Sequence, residues 1–202
     1  MNKKKLALGL SLLFLMPMIA IGILLGVNAF QVKELPVIAT LPEFDFIERT
    51  GQTFGSKDLK NKVWVASFVF TSCSAQCPLI VTELQKIQKS LRFKDNFRLV
   101  SFTLDPLTDT PQRLSAYATQ AKADPYKWLF LTAENKKIQD LVQKGFILPS
   151  VESEKAEGDI VHSSKLVLVD GGGRVRGYYD SLDRSAMKAL LKDAKLLIRG
   201  TY

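Results

Sequence analysis

The sequence predicts an α/β domain carried behind one membrane-spanning segment. Three observations predict it: short β-rich apolar runs alternate with segments whose apolar residues recur at helical spacing, one of those runs (Val63 to Phe70) is almost wholly apolar, and Leu6 to Val32 carries no charge at all. An apolar strand with no polar face must be covered on both sides, which places it at the centre of a sheet flanked by helices.

The N-terminal run follows Lys3, Lys4 and Lys5. As a helix at about 1.5 Å per residue it extends roughly 40 Å, against a hydrocarbon core of about 30 Å. Pro17 in its middle is tolerated in lipid, and the preceding lysines keep the N-terminus cytoplasmic and send the remainder across the membrane. The organisation expected is a membrane anchor over 1–32, a linker over 33–42 containing Pro36 and Pro42, and one domain over 43–202. The alternative is a cleaved signal peptide, with Val27 and Ala29 at the processing positions. Either reading exports the domain. The first makes the chain a single-pass protein of the cell inner membrane with its domain in the periplasm.

Within the domain, Phe44 to Ile47 and Thr53-Phe54 flank the turn residues Thr50-Gly51-Gln52, a short N-terminal hairpin. Val63 to Phe70 is the central strand. Behind it Pro78 fits the first turn of a helix whose buried stripe is Ile80, Leu84, Ile87 and Leu91. Arg98 to Leu104 reads as the next strand. Asp109-Thr110-Pro111 then opens a helix along Leu114, Tyr117, Ala118 and Ala121, with Asp109 preferred as its cap. Trp128 to Leu131 is a strand, and Ile138, Leu141 and Val142 mark a helix. Lys165 to Val169 and Arg174 to Tyr179 form a hairpin around Asp170-Gly171-Gly172-Gly173, and Met187, Leu190, Leu191, Ala194 and Leu197 form the stripe of a last helix. The glycine triplet lacks the G-x-G-x-x-G spacing of a phosphate loop and is read as a turn. This order is the one expected of a thioredoxin-like domain.

Charge narrows the function. Without the three N-terminal lysines, 25 of the 28 basic side chains face 20 acidic ones, spread without a concentrated basic run, which does not suggest nucleic-acid binding.

Chemistry concentrates in two places. The chain has two cysteines, Cys73 and Cys77, in Thr71-Ser72-Cys73-Ser74-Ala75-Gln76-Cys77-Pro78. A structural disulfide there closes a very short ring and removes little chain entropy, whereas thiols at a helix start are favoured as thiolates. Three intervening residues, against the two of C-x-x-C, still permit a disulfide and also let both sulfurs aim at one ion. The single histidine, His162, lies just before the strand that begins near Lys165, where a thioredoxin-like sheet returns beside the cysteine loop. Two thiolates and an imidazole suit a soft ion such as Cu(I), while a closed structural zinc site normally takes a fourth protein ligand.

Phe70-Thr71-Ser72-Cys73 with Cys77-Pro78, Leu104-Asp105-Pro106-Leu107-Thr108-Asp109-Thr110-Pro111, Trp128 to Thr132, and His162-Ser163-Ser164 followed by Asp170, the glycine turn and Tyr179 together resemble the Sco/SenC copper-protein family. The second block is similar to that family's V-D-P-x-x-D-T-P signature. The resemblance implies a thioredoxin-like fold, a copper ion bound by Cys73, Cys77 and His162, and delivery to the copper-receiving subunit of cytochrome c oxidase at its dinuclear copper centre. Two departures stand out: Ser74-Ala75-Gln76 where the family often has Pro-Asp-Val, and Val161 where an acidic residue often precedes the histidine. Asp105 is a candidate for hydrogen-bonding around the metal. Two other functions compete with the chaperone: a thiol-disulfide reductase working through Cys73 and Cys77, and a redox or copper sensor.

Overall fold

The computed structural model describes residues 16–18, 34–73, 77–148 and 164–200. The chain divides into two compact units, Met1–Glu34 with Tyr202, and Leu35–Thr201. In the first, 16–18 form a helical turn; the rest of the expected membrane segment lies outside the described residues. Among the described residues no helix is long and apolar enough to cross a membrane.

Among the described residues the second unit forms an eight-stranded mixed sheet in the order β1-β8-β7-β4-β5-β6-β2-β3. Its strands are β1 (Ala39–Thr40), β2 (Asp45–Glu48), β3 (Thr53–Gly55), β4 (Val63–Val69), β5 (Phe97–Thr103), β6 (Trp128–Thr132), β7 (Lys165–Val169) and β8 (Arg174–Asp180). The parallel core β4-β5-β6 is flanked by antiparallel hairpins, β7-β8 on one side and β2-β3 on the other. Every residue of β4 is buried, as its unbroken apolar pattern requires. The helices are α1 (Cys77–Ser90), α2 (Pro111–Gln120), α3 (Asn135–Asp140), which runs on into a π-helical turn over Leu141–Gly145, and α4 (Arg184–Ile198).

Strand alternation splits the interior into two cores. On one face Val63, Val65, Leu99, Trp128 and Phe130 meet the stripes of α1, α2 and α4, including Ile80, Leu84, Leu114, Met187 and Leu190. Burying each such side chain contributes about 1.5–3 kcal/mol, which fixes these amphipathic segments as helices more firmly than their propensity does. On the other face Trp64, Phe68 and Phe102 join Phe44, Phe46 and Phe146, with ring centroids 5.2–6.5 Å apart. The serines inside the sheet are satisfied: Ser67 and Ser101 hydroxyls lie 2.8 Å apart, and the Trp128 indole N–H donates to Ser101 at 2.9 Å.

The glycine triplet is a turn. Gly173 has φ +74°, and a Cβ on Gly171 would lie 2.8 Å from the Asn61 Cα, so the hairpin and the β4 approach close up only without side chains there. Asp170, fully buried at its base, accepts from the backbone N–H groups of Gly172 and Arg174, from Arg174 Nε at 2.8 Å and from Arg176 Nη1 at 2.8 Å.

The stretch expected as a free linker over 33–42 differs from Leu35 onward. Leu35 is buried with the α4-side core, Arg176 Nη2 donates to its carbonyl, and Ala39–Thr40 pair with β8. Its two prolines left room for a two-residue edge strand, whose pairing partner lies far along the sequence.

Arg176 therefore clamps both a hairpin and the entering chain. Burial alone would raise the Asp170 carboxyl, but the N–H groups of Arg174 and Gly172 and the two guanidiniums hold it below the ordinary carboxylate value. This stabilisation is complete above the unfolded pKa of about 4 and is lost as pH falls through the lower folded value. Arg176→Ala is expected to cost about 3 kcal/mol in urea unfolding at neutral pH, because it strands a buried charge. Arg174→Ala, at the more exposed partner, is expected to cost under about 1 kcal/mol. Equal losses would place the stabilisation outside the Arg176 clamp.

Candidate functional site

Because β4 and β5 are parallel and in register from Val63↔Phe97 to Val69↔Thr103, their C-terminal ends lie side by side. Clefts in such sheets open at that edge. Here β4 gives way to Thr71 and Ser72 in a turn, then Cys73, whose N–H donates to the Phe70 carbonyl at 3.2 Å. Residues 74–76 lie outside the described set, and α1 begins at Cys77. The two cysteines are not joined in a disulfide.

The two sulfurs occupy different environments. Cys73 is half-buried, and its Sγ accepts the Cys77 backbone N–H at 3.3 Å. That N–H is one of the helix-start donors without an intrahelical acceptor, so the contact stabilises negative charge on Cys73. Cys77 is 2% exposed. Burial pushes its thiol up to about 12, the Cys73 sulfur and the Asp109 charge add to the shift, and a backbone contact with Phe70 opposes it. The sequence-based expectation that the helix start favours both thiolates is corrected at Cys77, where desolvation outweighs the helix end.

Asp109 does not cap α2. Thr110 does, its hydroxyl accepting the Arg113 N–H at 3.3 Å ahead of Pro111. Asp109 is fully buried and turns back toward the cysteine loop. It accepts the Thr71 N–H at 3.0 Å, the Thr71 hydroxyl, and the Thr103 hydroxyl at 2.6 Å. One carboxylate thus joins the exit of β4 to the end of β5. The cue was present in the sequence: Thr110, itself a capping type, stands directly before the first-turn proline. Asp105 shapes the turn that delivers Asp109. Its carbonyl accepts the Asp109 N–H at 2.8 Å, and its own N–H donates to Thr103 Oγ1 at 3.0 Å.

Tyr117, read from the sequence as part of a helix stripe, also belongs here. Burial raises its phenol, with the neighbouring Cys77, Cys73 and Asp109 adding to the effect, so it remains a neutral donor near the sulfurs. With Thr71, Arg113, Ala116 and Gln120 it lines a cleft of about 200 Å³ beside the loop.

His162 lies outside the described residues. The antiparallel register of β7 on β4, Trp64↔Val169 to Ala66↔Val167, brings the chain into β7 from the sheet end that carries the cysteine loop. Among the described residues no three His, Cys, Asp or Glu side chains converge as a metal site.

The family model described as SCO1/SenC matches residues 33–197. A SCO1/SenC family lipoprotein from Bacillus anthracis is 32% identical with TM-score 0.73, over 80% of this chain and 96% of that one. BsSco, a member of the Sco family of cytochrome c oxidase assembly proteins in which a disulfide switch is identified, is 28% identical with TM-score 0.72, over 84% and 98%. Copper-bound ScoI from Bradyrhizobium japonicum shares the fold at 19% identity and TM-score 0.63, over 79% and 99%.

The inequality of the two thiols has a direct readout. Limiting iodoacetamide at neutral pH is expected to modify Cys73 well ahead of Cys77 in the reduced, metal-free protein, as resolved by peptide mass spectrometry. Equal rates, or Cys77 first, would contradict the burial and hydrogen bonding described.

Proposed function

Because the chain belongs to the SCO1/SenC family, we propose that it is a membrane-anchored copper chaperone in which Cys73, Cys77 and His162 hold a copper ion for delivery to the dinuclear copper centre of cytochrome c oxidase. The observation that carries this reading is a pair of thiols, not joined in a disulfide, at the start of α1, one of them half-buried and the other buried. Paired sulfurs are donors for a soft ion. His162 stands two residues before Ser164, a reach of about 7 Å of extended chain, and the β7 register supports it as the third ligand. Three ligands leave the ion open to an incoming donor, the condition for passing it on. Cys77 gives up its proton when its sulfur coordinates, so the free protein keeps that sulfur neutral and buried until cargo arrives.

The anchor is residues 1–32, with the N-terminus cytoplasmic and the folded body in the periplasm. Lys3 to Lys5 ahead of the uncharged run support this topology. The copper-receiving subunit of the oxidase is the proposed partner.

The asymmetry of the cysteines favours a second reading, thiol-disulfide reduction. Cys73 thiolate attacks one sulfur of a partner disulfide, forming a mixed disulfide and releasing one partner thiolate. Cys77, once deprotonated, then attacks the Cys73 sulfur, forming the Cys73–Cys77 disulfide and releasing the second thiolate. Two electrons pass from the chain's dithiol to the partner.

His162 separates the readings. His162→Ala is expected to weaken copper binding at least about tenfold, the loss of one ligand bond, with disulfide turnover within about twofold of wild type and unfolding unchanged. Cys73→Ser or Cys77→Ser is expected to abolish tight copper binding. Unchanged copper affinity in folded His162→Ala would remove the histidine from the site and favour the reductase.

A further inference from the structure

The outer face of α4 is a row of cations. Arg184, Lys188, Lys192, Lys195 and Arg199 are all exposed. At 100° per residue they fall within an arc of about 80°, so the row runs the length of the helix. Among the described residues, no ion pair joins any of the five to a carboxylate. The acidic residue inside the helix, Asp193, lies on the opposite flank and accepts the Tyr179 hydroxyl at 2.8 Å. Successive members stand three or four residues apart, where like charges repel and weaken a helix. A helix that carries four such pairs in sequence is better suited to an anionic surface than to open solvent.

The chain's route into the body says which surface. Leu35 is packed in the same core as Met187, Leu190, Ala194 and Leu197 of α4, with its carbonyl held by Arg176. Only Lys33 and Glu34 separate it from the end of the uncharged run at Val32. Three residue steps span about 10 Å at most. A body tethered so closely is held within reach of the lipid headgroups at high effective concentration.

We propose that the basic face of α4 docks the folded body onto anionic phospholipid headgroups, setting the orientation in which the cysteine loop is offered to a membrane-bound partner. The inference rests on the membrane-anchor part of the proposed function. Each lysine or arginine brought near an anionic lipid surface adds to the attraction, which salt screens.

The test uses the full chain reconstituted in phosphatidylcholine vesicles with and without phosphatidylglycerol. Lysine acylation is read by mass spectrometry at Lys188, Lys192 and Lys195, with exposed Lys57 and Lys60 as references. The expected result is severalfold protection of the α4 lysines in the phosphatidylglycerol vesicles alone, lost at high sodium chloride. In the exposed charge-reversal variant K188E/K192E, protection of Lys195 should disappear. Equal modification in both vesicles would overturn the proposal, as would equal protection in both, since shielding would then come from nearness to the bilayer and not from charge. Alkaline carbonate extraction of the same vesicles tests the anchor separately: release of the chain contradicts the tether, while lysine protection still decides the docking face.

Discussion

Asp109 is the interaction on which the rest of the site depends. A carboxylate with no solvent contact must be repaid by donors, and it finds three, two from Thr71 and one from Thr103. Those donors come from the turn after β4 and from the last residue of β5, so the requirement of one buried charge fixes the start of the cysteine loop against the end of β5. The turn closed by Asp105 presents the carboxylate, and Thr110 relieves it of the capping role. From this anchor the chain reaches Cys73 within two residues.

The sheet supplies the rest. Parallel pairing of β4 and β5 puts both C-terminal ends on one edge, and antiparallel β7 enters from that edge. Helix α1 contributes its first N–H to one sulfur and its buried flank to the other. The start of α1 therefore holds one half-buried cysteine and one buried cysteine whose thiol burial keeps neutral. In the proposed function, ion capture and disulfide exchange draw on the same pair, and His162, the proposed third ligand, is what separates them.

Much of this was legible in the sequence because it rests on local periodicity. The apolar run of β4, the stripes of α1 and α4, the β2-β3 hairpin and the glycine turn all fall where pattern and turn chemistry place them. What pattern does not encode is long-range pairing and burial. Leu35 and Ala39–Thr40 belong to the folded body through contacts with β8, more than a hundred residues away, which no local signal announces. The cap is one position further on than expected: Thr110 next to Pro111 is the cue for it, while capping preference carries no signal that Asp109 is a buried carboxylate. The helix-end rule likewise predicted thiolate at both cysteines, and desolvation reverses it at Cys77. The position of His162 was a topological expectation, and it lies outside the described residues.

The account stands on Asp109 holding the loop through Thr71, and amide hydrogen exchange in wild type and Asp109→Asn reads that contact most directly. A hydrogen bond to a charged group is worth about 1.5–3 kcal/mol, so the Thr71 amide should exchange at least about tenfold faster in the variant. Core amides at Val65 and Val100 should keep their protection. Unchanged exchange at Thr71, or an equal loss of protection across the sheet, would contradict the claim that this carboxylate acts on the loop.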